Sequence, residues 1–299
     1  MEEDKPCALI SEAWSEHAYL KELSDLLKQH FHTISYREFL QNPALHAPKI
    51  QAIFMLAQSP AAEPSLLRSL PSLKVIANGG VGINHLDLLF IGSLGVKVTN
   101  TPGVVSDATA DIGMGLLLAS ARKIHQHMNQ AEKCATILTQ YTCPSNIAGR
   151  ISGSLGHTLI TMRSYCYRNV TPSWAVGATY CENMDDLLRR SDFVMLAVNL
   201  TPETTGLIGQ RELSLMKPTA TLVNVSRGEQ SGTIHAAALD VTHPEPLPRD
   251  HPLLGLPNVL ITPHVGTDTY QTTRRMVEVV VENAQAALNG LPIPNEVKP

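Results

Sequence analysis

Residues 151–157 read ISGSLGH, and the reading of that stretch decides what kind of sheet the second half of the chain can build. Gly153 and Gly156 stand three apart, as do the second and third glycines of a dinucleotide-binding turn. The full G-x-G-x-x-G signature follows a strand, opens a helix and lets the backbone close on a pyrophosphate. Ile151 occupies the place of its first glycine. In one register ISGSLG is a degraded turn of this kind. It then lacks a preceding strand, because PSNIAGR (144–150) is a poor one, and HTLITM (157–162) is too rich in β-branched residues to open a helix. In the other register GHTLITM (156–162) is itself the first strand, and the glycine turn and its helix are absent. The second register is favoured. Under either, the complete phosphate-binding turn is missing.

Outward from that stretch, short apolar runs alternate with helical patterns. CALIS (7–11), KIQAIFML (49–56), LKVIAN (73–78) and VKVTN (96–100) read as strands, and SEHAYLKELSDLLKQH (15–30) reads as an amphipathic helix. A long helix is predicted over 106–128, capped by Ser106 or Asp107. CYRN (166–169) reads as the end of a further strand. FVMLAV (193–198), ATLVNVS (220–226), AAALDV (236–241) and NVLITPH (258–264) are continuous apolar runs, as strands covered on both faces should be. The last helix, 268–289, places Val277, Val280, Val281, Ala284 and Leu288 on one stripe, and Gly290 suits its stop. Such alternation predicts an α/β fold with mostly parallel, doubly wound sheets. The segment Asn100–Gly103 is a hinge candidate between two domains.

Composition excludes several classes of protein. The 299 residues are 43% apolar and 17% charged, with a net charge of -4, which gives no reason to expect nucleic-acid or membrane partners. The start, MEEDKPCALISEAW, has no basic region followed by an apolar one, so no secretory signal is read there and a cytoplasmic protein is expected. The apolar stretch IGMGLLLASA (112–121) is too short to span a bilayer. Five cysteines without a C-x-x-C pair suggest reduced thiols, and the histidines lack metal-ligand spacing, so no metal site is expected.

Three polar residues close apolar strands: Arg227 after TLVNVS, Glu245 after AAALDV, and His264 after VLIT. Open α/β sheets bind ligands at these carboxyl ends. Singly, each has a bland reading as a loop charge, a turn residue in a Pro-rich loop, or a strand-end histidine. Together they suit reduction of a 2-keto acid. The arginine fork can hold the carboxylate, the histidine can protonate the carbonyl oxygen as hydride arrives, and the glutamate can fix the histidine tautomer and favour its charged form.

These stretches resemble the D-isomer-specific 2-hydroxyacid dehydrogenases, most closely the glyoxylate/hydroxypyruvate reductase branch. The resemblance is carried by NGGVGINHLDL (78–88), NTPGVVSDATADIGMGLLLASARK (100–123), DLLRRSDFVMLAVNLTPETTGLIG (186–209), MKPTATLVNVSRG (216–228), the ALDV and TPHVG stretches, and LNGLPIPNEV (288–297). It covers most of the chain except about 125–173 and 229–235. It implies NAD(P)-dependent reduction of small 2-keto acids to D-2-hydroxy acids by a homodimer. It implies two flavodoxin- or Rossmann-like domains: a substrate domain of residues 1–100 completed by 267–299, and a nucleotide-binding domain of 101–266. By resemblance His264 is the proton donor and Glu245 its supporting acid. The backbone of Val81 and Gly82, helped by Arg227, binds the substrate carboxylate. Asn199, Pro202, Val225, Asp240 and Gly266 contact the cofactor.

Two departures from the family pattern point to an incomplete nucleotide domain. One is the missing glycine turn. The other is the crossover after Arg227, where only residues 227–235 separate the apolar runs, fewer than the dozen a parallel crossover usually needs. Either Arg227 is displaced, or one flanking strand leaves the sheet. Arg168 stands where the ribose-selecting acid would be, which favours NADP over NAD. The alternative to an active enzyme is a catalytically inactive relative that serves as a binding or dimerisation module.

Overall fold

A computed structural model describes residues 5–11, 18–56, 58–124, 126, 152–156, 164–167, 179–198, 204–226 and 236–298. In chain order the first half contains β1 (Cys7–Ile10), α1 (Ala18–His30), β2 (His32–Ser35), α2 (Tyr36–Gln41), α3 (Pro43–His46), β3 (Ile50–Leu56), α4 (Pro64–Ser69), β4 (Val75–Gly79), α5 (Leu88–Ser93) and β5 (Lys97–Thr99). Then come α6 (Ser106–Ala121), β6 (Ser152–Gly156), β7 (Ser164–Tyr167), β8 (Thr179–Tyr180), α7 (Met184–Arg190), β9 (Phe193–Ala197) and α8 (Gln210–Leu215). The chain closes with β10 (Thr221–Asn224), β11 (Ala237–Leu239), a 3-10 turn (Pro252–Gly255), β12 (Val259–Ile261), α9 (Tyr270–Leu288) and β13 (Glu296–Val297). Two compact units result, one of residues 1–105 with 268–299 and one of 106–267.

The first unit holds a sheet in the order β13-β5-β4-β3-β1-β2, parallel except for β13 on its edge. Its five parallel strands have the flavodoxin-like order 2-1-3-4-5. Strand β3 is apolar except for Gln51 because both of its faces are covered. Ile53 and Met55 enter one core with Leu9, Ile34 and Ile76, while Ala52 and Phe54 enter another with Leu27 and Phe31. Phe31 meets Phe54 edge to face, with ring centroids 4.8 Å apart. The stripe read on the last helix lands in that second core. Val277, Val280, Val281 and Ala284 of α9 pack with Val75 and Ala77 of β4. At about 1.5–3 kcal/mol per fully buried aliphatic side chain, this stripe accounts for the return of the carboxyl terminus to the first unit.

The second unit holds a sheet in the order β12-β11-β10-β9-β6-β7-β8, parallel throughout. Numbered from β6, that is 3-2-1-4-5-6-7, a Rossmann sheet with one strand added. Strand β9 alternates as β3 does. Phe193 and Met195 face α6, through Leu116, Leu117 and Ala121, while Val194 and Leu196 face α7 residues Leu187 and Leu188. Helix α6 lies close to the sheet because Gly113 has no side chain; a Cβ there would stand 3.0 Å from Met195 Cε.

Three sequence expectations need correction here. Neither register placed the strand at SGSLG, yet Ser152–Gly156 forms β6, paired from Ser152↔Phe193 to Gly156↔Ala197 on one side and with β7 on the other. Backbone pairing on both sides outweighs the weak strand propensity of its serines and glycines. Gly153 and Gly156 are therefore ladder residues, and the favoured strand over 156–162 lies, beyond Gly156, outside the described residues. Second, no strand leaves the sheet around Arg227. Strands β10 and β11 are parallel neighbours, from Leu222↔Ala237 to Asn224↔Leu239. Both are shorter than the apolar runs, so residues 225–236 join them, about the dozen a parallel crossover needs. Third, α6 ends at Ala121, short of 128, and Lys123 follows with φ 50, outside the right-handed helical region.

Candidate active site

Strand register brings the polar end of the second sheet together. Leu239 pairs with Ile261, so Asp240 and Thr262, one step on, lie side by side where the strands end. The Asp240 carboxylate is 2% exposed and is fully engaged inside the protein. Its Oδ1 accepts from Thr262 Oγ1 at 2.6 Å and from the Val265 N–H at 3.0 Å, and its Oδ2 accepts from the Gly266 N–H at 2.8 Å. Charge-assisted bonds of this kind are about twice as strong as neutral ones. They fix the turn Thr262–Gly266 around His264, which has φ 54. Left-handed backbone costs a non-glycine residue about 1–2 kcal/mol, and the Asp240 bonds hold it there. Gly266 is required for space: a Cβ would lie 2.7 Å from Asp240 Oδ2 and 3.1 Å from Ile112 Cγ2.

The imidazole of His264 meets Glu245, which reaches it from the loop after β11. Nδ1 lies 3.0 Å from both carboxylate oxygens, and both residues are exposed. A carboxylate can only accept, so Nδ1 carries the proton and donates it. That fixes the tautomer and leaves Nε2 as the ring atom for external chemistry.

In the first unit the residues after β4 make a loop whose carbonyls are all taken. Asn78 Nδ2 donates to the Gly80 and Gly82 carbonyls at 3.1 Å each, and Asn100 Nδ2 donates to the Val81 carbonyl at 3.0 Å. Thr101 is bonded to Gly80 in both directions, N–H to carbonyl at 3.1 Å and Oγ1 from Gly80 N–H at 2.9 Å. These bonds also explain why the first unit runs past Asn100 to residue 105. Gly80 has φ 134, a conformation open to glycine. No described residue accepts from the N–H of Val81 or of Gly82.

The structure thus pairs Glu245 with His264 and Asp240 with Gly266 in the second unit, and places Val81 and Gly82 on a strand-end loop of the first. Val225 is 8% exposed, its side chain in the core under α6. Asn199, Pro202, Arg227 and Arg168 lie outside the described residues. Sequence reasoning missed the role of Thr262 and the internal role of Asp240. The available signal was a threonine in an otherwise apolar strand end, directly before Pro263 and His264. Among the described residues no group of three or more His, Cys, Asp or Glu could hold a metal ion, and no helix is long and apolar enough to cross a membrane. Cys7 and Cys181 are in no disulfide among the described residues, and burial pushes the Cys7 thiol up.

For a dinucleotide, the sheet order and the polar strand ends fit, since such ligands bind where strand order reverses, here between β6 and β9. The link from β6 to β7 does not match the pyrophosphate turn. It comprises residues 157–163, HTLITMR, and contains no glycine.

A Rossmann sheet and a carboxylate-held histidine at a strand end together define an α/β protein of the dehydrogenase type. Comparison with known proteins sharpens that class. The model of the D-isomer-specific 2-hydroxyacid dehydrogenase NAD-binding domain matches residues 114–266. Glyoxylate reductase/hydroxypyruvate reductase of Homo sapiens is 35% identical over 254 residues, 76% of this chain and 77% of that protein. Glyoxylate reductase of Aeropyrum pernix is 35% identical over 263 residues, 78% of each chain. The structure of a 2-hydroxyacid dehydrogenase from Ketogulonicigenium vulgare superposes with a TM-score of 0.81 at 25% identity, covering 98% of both chains. The chain belongs to the D-isomer-specific 2-hydroxyacid dehydrogenases, a family of oxidoreductases with an NAD-binding domain.

Proposed function

We propose that this chain reduces small 2-keto acids of the glyoxylate and hydroxypyruvate type to D-2-hydroxy acids with NAD(P)H. The observation that carries the reading is the His264–Glu245 pair at 3.0 Å, in a family whose curated relatives include glyoxylate and hydroxypyruvate reductases. The nicotinamide, when bound, supplies the hydride. The doubly protonated His264 gives its Nε2 proton to the carbonyl oxygen and is left as a neutral ring whose remaining proton, on Nδ1, is donated to Glu245. The Val81 and Gly82 N–H groups, with Arg227, hold the substrate carboxylate. Asn199, Pro202, Val225, Asp240 and Gly266 line the cofactor, and Arg168 favours NADP over NAD. In this reading residues 1–100 with 267–299 are the substrate domain and 101–266 the nucleotide domain of a cytoplasmic homodimer.

A second reading, an inactive relative that binds or dimerises, is favoured by the glycine-free link after β6. Fluorescence titration with NADPH separates the two. The enzyme reading predicts saturable binding below millimolar cofactor, followed by NADPH oxidation with glyoxylate or hydroxypyruvate that disappears in His264→Gln. Absence of saturable binding would leave only the second reading.

A further inference from the structure

We infer that a partly buried asparagine relay running from the carboxyl-terminal segment to the loop after β4 positions the carboxylate-binding N–H groups, and that Asn283 of α9 is its central positioning residue. The inference rests on the proposed reading of Val81 and Gly82. It adds residues to which neither the sequence reading nor the resemblance gives a role.

The relay has three side-chain links. Asn295 Nδ2 donates to Asn283 Oδ1 at 3.1 Å, Asn283 Nδ2 donates to the Asn100 carbonyl at 3.1 Å, and Asn100 Nδ2 donates to the Val81 carbonyl at 3.0 Å. The Asn100 N–H also donates to the Asn295 carbonyl, at 3.3 Å. Asn283 has no exposed surface, although most residues on its helix face are apolar. A buried amide carries a desolvation cost that only its hydrogen bonds offset, so at this position it is there for what it bonds.

What the relay achieves follows from peptide geometry. In a planar trans peptide the C=O and the next residue's N–H point in opposite directions. The peptides of this loop are trans. With the Gly80 and Val81 carbonyls bonded by Asn78, Thr101 and Asn100, the N–H groups of Val81 and Gly82 point the opposite way and have no acceptor among the described residues. Two adjacent donors aimed the same way fit one carboxylate, one bond per oxygen. Asn78 sets the outer peptides, and Asn100, held by Asn283, sets the central one. Loss of a link lets the Val81 carbonyl swing and takes the Gly82 N–H with it.

The test uses the full chain with two variants. Asn283→Asp keeps the acceptor for Asn295 but cannot donate to Asn100, and the milder Asn100→Ser sits at a less buried position and guards against misfolding of the first. Steady-state kinetics with glyoxylate should show KM raised about tenfold, with kcat and the cofactor KM within about twofold. A merely structural role would lower kcat, or active protein, without this split. In parallel, the Val81 and Gly82 amide resonances of 15N-labelled protein are followed during titration with oxalate, which cannot accept hydride. The wild type should shift saturably, and the variants should need about ten times more oxalate. Unchanged KM and oxalate response in both variants would overturn the relay. Wild-type amides that ignore oxalate while glyoxylate is reduced would also overturn it, and the enzyme reading would stand. An oxalate response with the predicted variant weakening, but no reduction of any 2-keto acid, would uphold the relay and remove the enzyme reading.

Discussion

The loop after β4 and the turn after β12 both hold backbone at the carboxyl end of a parallel strand, and they are held by opposite chemistry. In the loop, side-chain amides of Asn78 and Asn100 bind the carbonyls of residues 80–82, and no described residue accepts from the Val81 and Gly82 N–H groups. In the turn, the Asp240 carboxylate takes the N–H groups of Val265 and Gly266, and the His264 N–H goes to the Thr262 carbonyl at 3.0 Å. An N–H used inward is not available outward. On the proposed reading the loop receives an anion through its backbone, while the turn has no backbone donor left over and presents a side chain, the His264 imidazole. The glycines differ for the same reason. Gly80 is needed for its φ of 134 and a Cβ there would make only an ordinary contact, 3.7 Å from Asn78 Nδ2, whereas Gly266 has no left-handed φ and is needed for space beside Asp240.

The comparison breaks first at Asp240. Asp240→Ala leaves two N–H groups and the Thr262 hydroxyl without their acceptor in a buried place. At about 1–3 kcal/mol for each unsatisfied donor, partly recovered by relaxation, stability measured by urea unfolding should fall by roughly 3–5 kcal/mol. Reductase activity should fall with it, because the His264 turn loses its anchor. Wild-type stability in this variant would mean that the carboxylate does not hold the turn. His264→Gln should show the reverse pattern. The residue is exposed and its ring contributes little to packing, so unfolding should stay within about 0.5 kcal/mol of wild type. Its kcat should drop by roughly 10²–10⁴, the usual worth of a placed general acid.

How much of this was legible beforehand differs between the same two regions. Apolar runs located the strands β3, β4, β9 and β10, and the spacing of Val277, Val280, Val281 and Ala284 identified the buried face of α9, because burial on a regular element imprints its period on the sequence. The Glu245–His264 pair was legible because residues at the ends of neighbouring parallel strands must lie close. Strand β6 was not legible. SGSLG carries no strand propensity, and only its pairing with β9 and β7 makes it one. The supports of the two polar turns were hidden for a related reason. That Asp240 faces Thr262 depends on the register of β11 against β12, and that Asn283 reaches Asn100 depends on a helix and a hinge segment about 180 positions apart in the chain. Neither is a local property of sequence.

Two alanines sharpen the contrast between the glycines. Gly266→Ala forces a Cβ to within 2.7 Å of Asp240 Oδ2, so the carboxylate or the turn must move. Overpacking of this sort costs about 1–3 kcal/mol, and part of the cost should vanish when Asp240 is already shortened to Ser, a coupling that a double-mutant cycle reads directly. Gly80→Ala meets only Asn78 Nδ2, at 3.7 Å, so its cost of roughly 1–2 kcal/mol is conformational and should be indifferent to Asp240. Equal coupling of both alanines to Asp240 would show that the two regions are not held independently.

The smallest effect concerns the strain at His264 itself. His264→Ala and His264→Gly both remove the imidazole and its bond to Glu245, so their difference reports only the backbone at φ 54. Two terms oppose each other. The left-handed conformation costs alanine about 1–2 kcal/mol that glycine does not incur. Against that, glycine gives the unfolded chain more freedom, which costs the folded state about 0.4–1 kcal/mol. The first term is larger, so the glycine variant should be the more stable of the two by roughly 0.5–1 kcal/mol in paired urea unfolding curves with equal m-values. An alanine variant as stable as the glycine one would mean that the turn relaxes out of the left-handed region once the imidazole is gone. The position would then be enforced by the ring's bond to Glu245, and Asp240 would hold the turn's outer residues, Val265 and Gly266, without dictating the conformation of His264.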